Sequence, residues 1–340
     1  TIYGALIFVL LPAYLILSRE SLLFDNKLKK TIGSFLLFVA PPFVPEIWLN
    51  AVNTQVYLCI NSIVILFMIN LNNFQKKINH LIIFLSAFSG VYTCCLLPLF
   101  AANYFFKKKI YDLINFLILL SGSSIQLFLI LQSKINNFLP SNVLAADLDL
   151  NLVANYIYNI FLKPLFGRQI IHFVWENIFS LFYQLNYVYA LLSLFFIVLV
   201  ILFYNLKKII NFIIKDKIII YLIFIFCSVS GLVLVGAAGD YVGGRYAVIP
   251  GAAILLIILH IIYRTKIQKL KIFFTILISI SLISGILEFR PPTKNVKYQY
   301  IKYLDCVNCP EWKNEINKWK KNNSYTIKIW PYPSKDMTLN

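Results

Sequence analysis

A chain of 340 residues that is 60% hydrophobic and only 13% charged is not an ordinary soluble domain, in which roughly a quarter of the residues carry charge. Its net charge of +17 would suit a nucleic-acid binder. That reading is excluded because Lys and Arg sit in short segments between apolar stretches, not on one soluble face. With a mean hydropathy of +0.76, the composition points to a bilayer.

Apolar stretches recur at 2–17, 32–44, 56–71, 113–131, 187–204, 218–236, 247–263 and 272–287. A hydrocarbon core about 30 Å thick is crossed by roughly 20 apolar residues of helix. In lipid each backbone N–H and C=O must find its partner within its own segment, so these stretches read as helices. The expected fold is all-α. It is a polytopic transmembrane bundle over 1–290, of about eight full spans plus one re-entrant hairpin, with a small outward-facing module over 291–340.

The basic connectors set the orientation. They are Arg19 with Lys27, Lys29 and Lys30; Lys76 and Lys77; Lys107, Lys108 and Lys109; Lys207, Lys208, Lys215 and Lys217; and Arg264 with Lys266, Lys269 and Lys271. By the positive-inside rule these face the cytoplasm. The segments 45–55, 133–183, 239–245 and the tail after 287 then face outward. The first three hold fewer Lys and Arg for their length.

The segment 80–106 has basic flanks on both sides. A broken hairpin, going in over 81–89, turning near Gly90 and returning over 91–105, keeps both flanks in one compartment. Pro98 is expected to bend the returning arm. The alternative is one long tilted helix with Lys107–Lys109 outside. With the hairpin, the N-terminus is outside. The chain opens at Thr1 within an apolar run, which reads as a fragment or a processed chain with further spans upstream.

Four polar clusters stand out from the apolar background. In the first, Glu46, Asn50 and Asn53 recur at i, i+4 and i+7, and Gln55 follows. A short helix would put the first three on one face. A carboxylate among amides suits a hydroxyl-rich ligand, since it accepts hydrogen bonds while amides donate and accept. The plain alternative is a polar loop with Trp48 at the membrane interface.

The second cluster is Gly239-Asp240-Tyr241-Val242-Gly243-Gly244-Arg245-Tyr246, followed by Pro250. Asp240 and Arg245 can pair across this compact turn, or Arg245 can fork onto a phosphate. No Gly-Lys-Ser/Thr follows, so it is not a P-loop.

In the third cluster Arg168, His172 and Glu176 repeat at i, i+4 and i+8, with apolar residues between, as in a helix lying in the interface. A His beside a Glu can act in acid–base chemistry. The simpler reading, a solvated helix face, is preferred here. Asp147 and Asp149 form a weakly specific DxD.

The fourth cluster is the tail. It carries Cys306 and Cys309 in a C-x-x-C, a helix expected over 310–321 with Trp312, Ile316 and Trp319 on one face, and a strand-like run over 325–330. The two cysteines read as a structural disulfide or two free thiols, because no βαβ pattern surrounds them. Cys59, Cys94, Cys95 and Cys227 lie in apolar stretches as packing residues. His80, His172 and His260 are too far apart in sequence for a haem or metal pair. His80 and His260 read as interface or core residues. No cofactor motif is present, and a divalent metal has no support in the sequence.

Four patterns together resemble bacterial polytopic proteins of the GT-C type, the membrane glycosyltransferases that use lipid-linked sugars. They are Glu46-x3-Asn50-x2-Asn53-x-Gln55; Ser89-Gly90 leading into Leu96-Leu97-Pro98-Leu99; Gly244-Arg245-Tyr246 with Pro250; and the tail with Trp312, Trp319 and Ile329-Trp330-Pro331. The resemblance implies a multi-pass protein of a bacterial plasma membrane with an extracytoplasmic tail. Its partners would be membrane lipid and a polyprenyl-phosphate sugar. Arg245, with Arg168, would hold the phosphate. Asn50, Asn53, Gln55, Asp240, Tyr246, His172 and Glu176 would complete the substrate site. The family's acidic residue lies in a first outer loop, which here would precede Thr1; Glu46 is the candidate in its place. The rival readings are a flippase for a lipid-linked glycan, a polysaccharide polymerase or ligase, and a non-catalytic subunit docking through Trp312, Trp319 and Trp330.

Overall fold

A computed structural model describes residues 2–39, 54–135, 156–174, 216–236, 244–288, 312–322, 325–328 and 336–337. The chain divides into two units, Thr1–Arg290 and Pro291–Asn340. The first unit holds α1 (Ile2–Ser18), α2 (Lys27–Val39), α3 (Thr54–Leu66), α4 (Asn73–Ser89), α5 (Leu97–Lys107), α6 (Ile110–Ile135), α7 (Lys163–Val174), α8 (Lys217–Gly236), α9 (Val248–Arg264) and α10 (Gln268–Glu288). Tight 3-10 turns, Val91–Leu96 and Gly244–Ala247, precede α5 and α9, and a π turn, Tyr158–Leu162, runs into α7. The span expected at 187–204 lies outside the described residues.

Two helices form the centre. Every residue of α3 from Val56 to Leu66 is buried, and so is nearly all of α9. The helices around them keep one apolar face outward. On α1 this is Ile7, Leu10, Tyr14 and Leu17; on α4, Leu81, Phe84, Leu85 and Phe88; on α10, Ile272, Ile276, Ile283 and Ile286. Spacings of three and four residues put each set on one stripe. A water-soluble protein would bury such stripes, whereas hydrocarbon accepts them. Among the described residues three helices are long and apolar enough to cross a membrane, Ile110–Ser133, Lys217–Leu234 and Gln268–Leu287, which is consistent with a membrane protein. Shorter apolar helices are Ile7–Ser18, Thr54–Leu66 and Val248–Arg264.

The described basic connectors meet at one end of this unit. The connector after α1 pairs with the one after α3: Leu22 N–H donates to the Phe67 carbonyl at 2.9 Å and Ile69 N–H to the Glu20 carbonyl at 3.1 Å. This exchange ends α3 at Leu66, short of the apolar stretch that runs to 71. The Phe67 carbonyl and the Ile69 N–H are satisfied by the neighbouring connector, while the Phe67 and Met68 N–H groups bond back to Val64 and Ile65, and Asn70 turns the chain at a φ of 52°. Arg264 Nη2 lies 3.9 Å from Asp25 Oδ2. Lys217 Nζ sits 5.4 Å from the centre of the Phe106 ring, which brings the Lys107–Lys109 turn to the start of α8.

The segment from Asn73 to Lys107 is a pair of helical arms bent by 118°. Asn72 and Gln75 cap α4 reciprocally. The chain turns at Gly90, where an added Cβ would overlap Gln55 Oε1 and stand 2.9 Å from Gln55 Cδ. Both arms pack on α6. Pro98 does not bend the returning arm. It stands in the first turn of α5, where its missing N–H costs nothing, and the bend falls at Gly90 instead. Lys108, at a φ of 51°, then turns the chain into α6.

In the second unit α11 (Trp312–Lys321) is followed by an antiparallel pair of short strands, β1 (Ile327–Lys328) and β2 (Asp336–Met337), with Ile327 opposite Met337. Glu315 is buried in this unit. It accepts from Lys318 Nζ at 2.8 Å and from the Tyr325 hydroxyl at 2.9 Å.

Candidate functional site

The far end, opposite the connectors, is held by close helix contacts. Gly285 of α10 abuts the end of α2: an added Cβ would overlap the Val39 carbonyl oxygen and stand 2.6 Å from Val39 Cγ1. Ser281 Oγ donates to the Pro164 carbonyl at 2.5 Å and Ser284 Oγ to the Phe166 carbonyl at 2.9 Å. These bonds fasten α7 along the last turns of α10. Gly167 interrupts α7 at a φ of 73°, a conformation glycine takes without penalty, so Arg168 begins a fresh helical turn. The turn carrying Arg245 and Tyr246 packs on the π turn that leads into α7, and on α8.

Of the expected substrate residues, Gln55, Arg168, His172, Arg245 and Tyr246 thus belong to elements at this one end. Gln55 and Tyr246 are half-buried, and Tyr246 packs against the core. For Arg168, His172 and Arg245 the backbone alone is described. Glu46, Asn50, Asn53, Asp240 and Glu176 lie outside the described residues, as do Asp147, Asp149, Cys306 and Cys309. Among the described residues no group of three His, Cys, Asp or Glu is placed to hold a metal ion. Cys227, expected in packing, is exposed, and Cys59, Cys94, Cys95 and Cys227 are free thiols.

The richest described polar geometry is at the connector end. Asp216 caps α8, accepting at Oδ1 from Ile218 N–H at 2.9 Å and from Ile219 N–H at 3.4 Å. Its Oδ2 lies 2.9 Å from His260 Nε2. On the other side of the ring, His260 Nδ1 is 3.2 Å from Lys29 Nζ. His260 and Lys29 are both fully buried. An ammonium has donors only, so Nδ1 must accept, and the ring proton therefore sits on Nε2 and points at Asp216. His260 is neutral in this arrangement. Lys29 Nζ also lies 3.7 Å from Asp25 Oδ1 and 5.6 Å from the Tyr263 ring centre. Burial by itself raises the Asp216 pKa. The His260 contact and the two backbone N–H groups outweigh it and hold the carboxyl below its ordinary value.

A second network lies beside the first. Arg19, buried in the connector after α1, donates to Asn79 Oδ1 and lies 3.7 Å from Met68 Sδ. Asn79 Nδ2 donates to the Tyr111 hydroxyl at 2.8 Å. His80 Nδ1 is 2.7 Å from Asn115 Oδ1. The two networks join where Lys30 Nζ donates to the Arg19 carbonyl at 2.6 Å.

Sequence reasoning treated Lys29 and Arg19 as orienting charges and His260 as packing. The usable signal was acidic: Asp25 and Asp216 are rare carboxylates inside basic connectors. No family model, curated protein or solved structure matches this chain.

Proposed function

We propose that this chain is a membrane glycosyltransferase-like protein of the GT-C type, with about eight spans and a hairpin. It would take a sugar from a polyprenyl-phosphate donor at the face opposite the basic connectors. One observation carries the reading: the contacts that gather the basic connectors leave the elements bearing Gln55, Arg168, His172, Arg245 and Tyr246 toward the other end, where the Arg245–Tyr246 turn packs on the π turn leading into α7. By the charge rule that end is extracytoplasmic, where a lipid-linked donor presents its phosphate. In this mechanism Arg245, with Arg168, holds the phosphate and stabilises it as the leaving group. Glu46, Asn50, Asn53 and Gln55 hold hydroxyls, and a carboxylate, Glu46 or one preceding Thr1, removes the acceptor proton.

The test uses the full chain in nanodiscs. Decaprenyl phosphate binding is followed by native mass spectrometry, and transfer by label incorporation from a polyprenyl-phosphate sugar. Arg245→Ala is expected to weaken lipid-phosphate binding at least tenfold and to abolish transfer, with insertion unchanged. Undiminished binding removes the phosphate assignment. A second reading, a flippase for a lipid-linked glycan, draws on the broken helix pair and on the buried Lys29–His260–Asp216 chain, since intramembrane ionisable groups mark transport paths. Movement of a fluorescent lipid-linked sugar across proteoliposomes without its consumption would favour it.

A further inference from the structure

The Lys29–His260–Asp216 chain joins three helices, one of them remote in sequence: α2 through Lys29, the start of α8 through Asp216, and the end of α9 through His260. Each bond in it has one allowed direction. Lys29 can only donate, Asp216 accepts as a carboxylate, and a neutral His260 with its proton on Nε2 satisfies both. The arrangement leaves no acceptor for a second ring proton, because Nδ1 already faces an ammonium at 3.2 Å.

We infer that His260 is a proton-binding latch that clamps α2 to α8 and α9 at the connector end and releases α2 on acidification. One proton from bulk water binds Nδ1. The bond from Lys29 Nζ breaks, and two cations then face each other. The ammonium leaves toward Asp25 Oδ1, already 3.7 Å away and 42% exposed. The ring keeps its Nε2–H bond to Asp216, and the proton reaches Nδ1 from the Asp25 side, where that carboxylate reaches solvent. No other bond changes.

The ionisable groups facing the ring among the described residues can be named from each element. They are Lys29 on α2, Asp25 in the connector before it, Asp216 at the start of α8 with Lys217 beyond, and Arg264 and Tyr263 on α9 itself. The central helix α3 carries no charged residue. The lysines of α10, Lys269 and Lys271, are exposed. Two of the nearest groups are cations, Lys29 and Arg264, and only Lys29 must lose a bond when the ring is protonated. The inference rests on neither reading of the far end, so loss of donor binding there leaves it standing.

Hydrogen–deuterium exchange of the full chain in nanodiscs tests it, with rates corrected for intrinsic pH dependence. From about pH 7.5 to about pH 4.5, a window that reaches below the ordinary histidine range because a buried ring beside a cation is harder to protonate, backbone exchange over 27–33 should rise at least tenfold, while 217–222, which keeps its cap and its bond to His260, should not. The segment 268–274, which has no histidine, should not change. His260→Gln, which can still donate to Asp216 and accept from Lys29, should lose the acid response. Should that variant not fold, Lys29→Met serves: with the ammonium gone, protonation meets no opposing donor and the response should again disappear. The latch is overturned by an unresponsive wild-type protein, by an equal rise over 268–274, or by a response that persists in either variant.

Discussion

Replacing Asp216 separates two interactions that the structure joins on one carboxylate. Asp216→Ala removes the cap on Ile218 and Ile219, an effect of about 1 kcal/mol. It also strands the buried His260 Nε2–H without an acceptor, which costs about 1–3 kcal/mol. The expected loss is therefore about 2–4 kcal/mol. Asp216→Asn has a single oxygen. It can cap α8 or accept from His260, and if it caps, its own N–H2 faces the ring N–H. It should retain the cap and lose the other bond, so it should fall about 1 kcal/mol short of the alanine effect. Equilibrium unfolding in mixed detergent micelles, read by far-ultraviolet circular dichroism, measures both. The pH dependence supplies a separate check. Because the folded-state pKa of Asp216 lies below its ordinary value of 3.8, the stabilisation is whole at neutral pH. It fades as pH falls through 3.8 toward the lower folded value. Asp216→Ala should lack that acid limb. Two variants that each cost under about 0.5 kcal/mol would refute the reasoning, since neither bond would then carry stability.

Gly122 lets α4 and α6 touch. An added Cβ would meet Ala87 Cβ at 2.5 Å and its carbonyl oxygen at 2.8 Å, so Gly122→Leu should cost about 1–3 kcal/mol in the same assay. Gly231→Ala, with nothing within 4 Å of the new methyl, should instead be neutral or stabilising by up to about 1 kcal/mol; a matching loss at both sites would discredit the packing described for α6. In a chain freed of all six cysteines, single cysteines at Lys77, Lys108 and Lys269 should react with an impermeant thiol reagent from one side of the membrane and a cysteine at Thr54 from the other. Labelling of Lys77 and Lys108 positions from opposite sides would replace the hairpin with a crossing helix. In the second unit, Glu315→Ala should speed amide exchange across Trp312–Lys321, and Glu315→Gln, which still accepts from Tyr325, should do so less. The hydrogen bond to Glu315 raises the Lys318 pKa above 10.5, so that contact is intact below pH 10.5 and is lost only as pH rises through the higher folded value.

The helical arms were legible because a bilayer makes apolar length and loop charge sufficient signals. The stretches 2–17, 218–236 and 272–287 reappear as α1, α8 and α10 with ends shifted by a few residues. The turn at Gly90 was legible as well, from the basic residues on both sides of 80–106. Helix ends set by a neighbour were not. The stretch 56–71 is apolar throughout, yet α3 stops at Leu66 because 67–69 bonds to 20–22 instead. Pro98 misled for a related reason: a proline is disruptive inside a helix and harmless in its first turn, and only the position of the break at Gly90 says which applies. At the candidate far-end site, the sequence picked out residue types and spacings. That the elements bearing Arg168, His172, Arg245 and Tyr246 meet is a property of how the turn before α9 packs on α8 and on the π turn leading into α7.

From composition and charge pattern alone come the apolar helices and their alternation with basic connectors, since each depends on the solvent and not on any particular neighbour. The pairing of Lys29 with His260 across 231 positions of chain belongs to the tertiary structure alone. Periodicity reports how residues share one helix face, and hydrogen bonds between three separate helices leave no periodic trace.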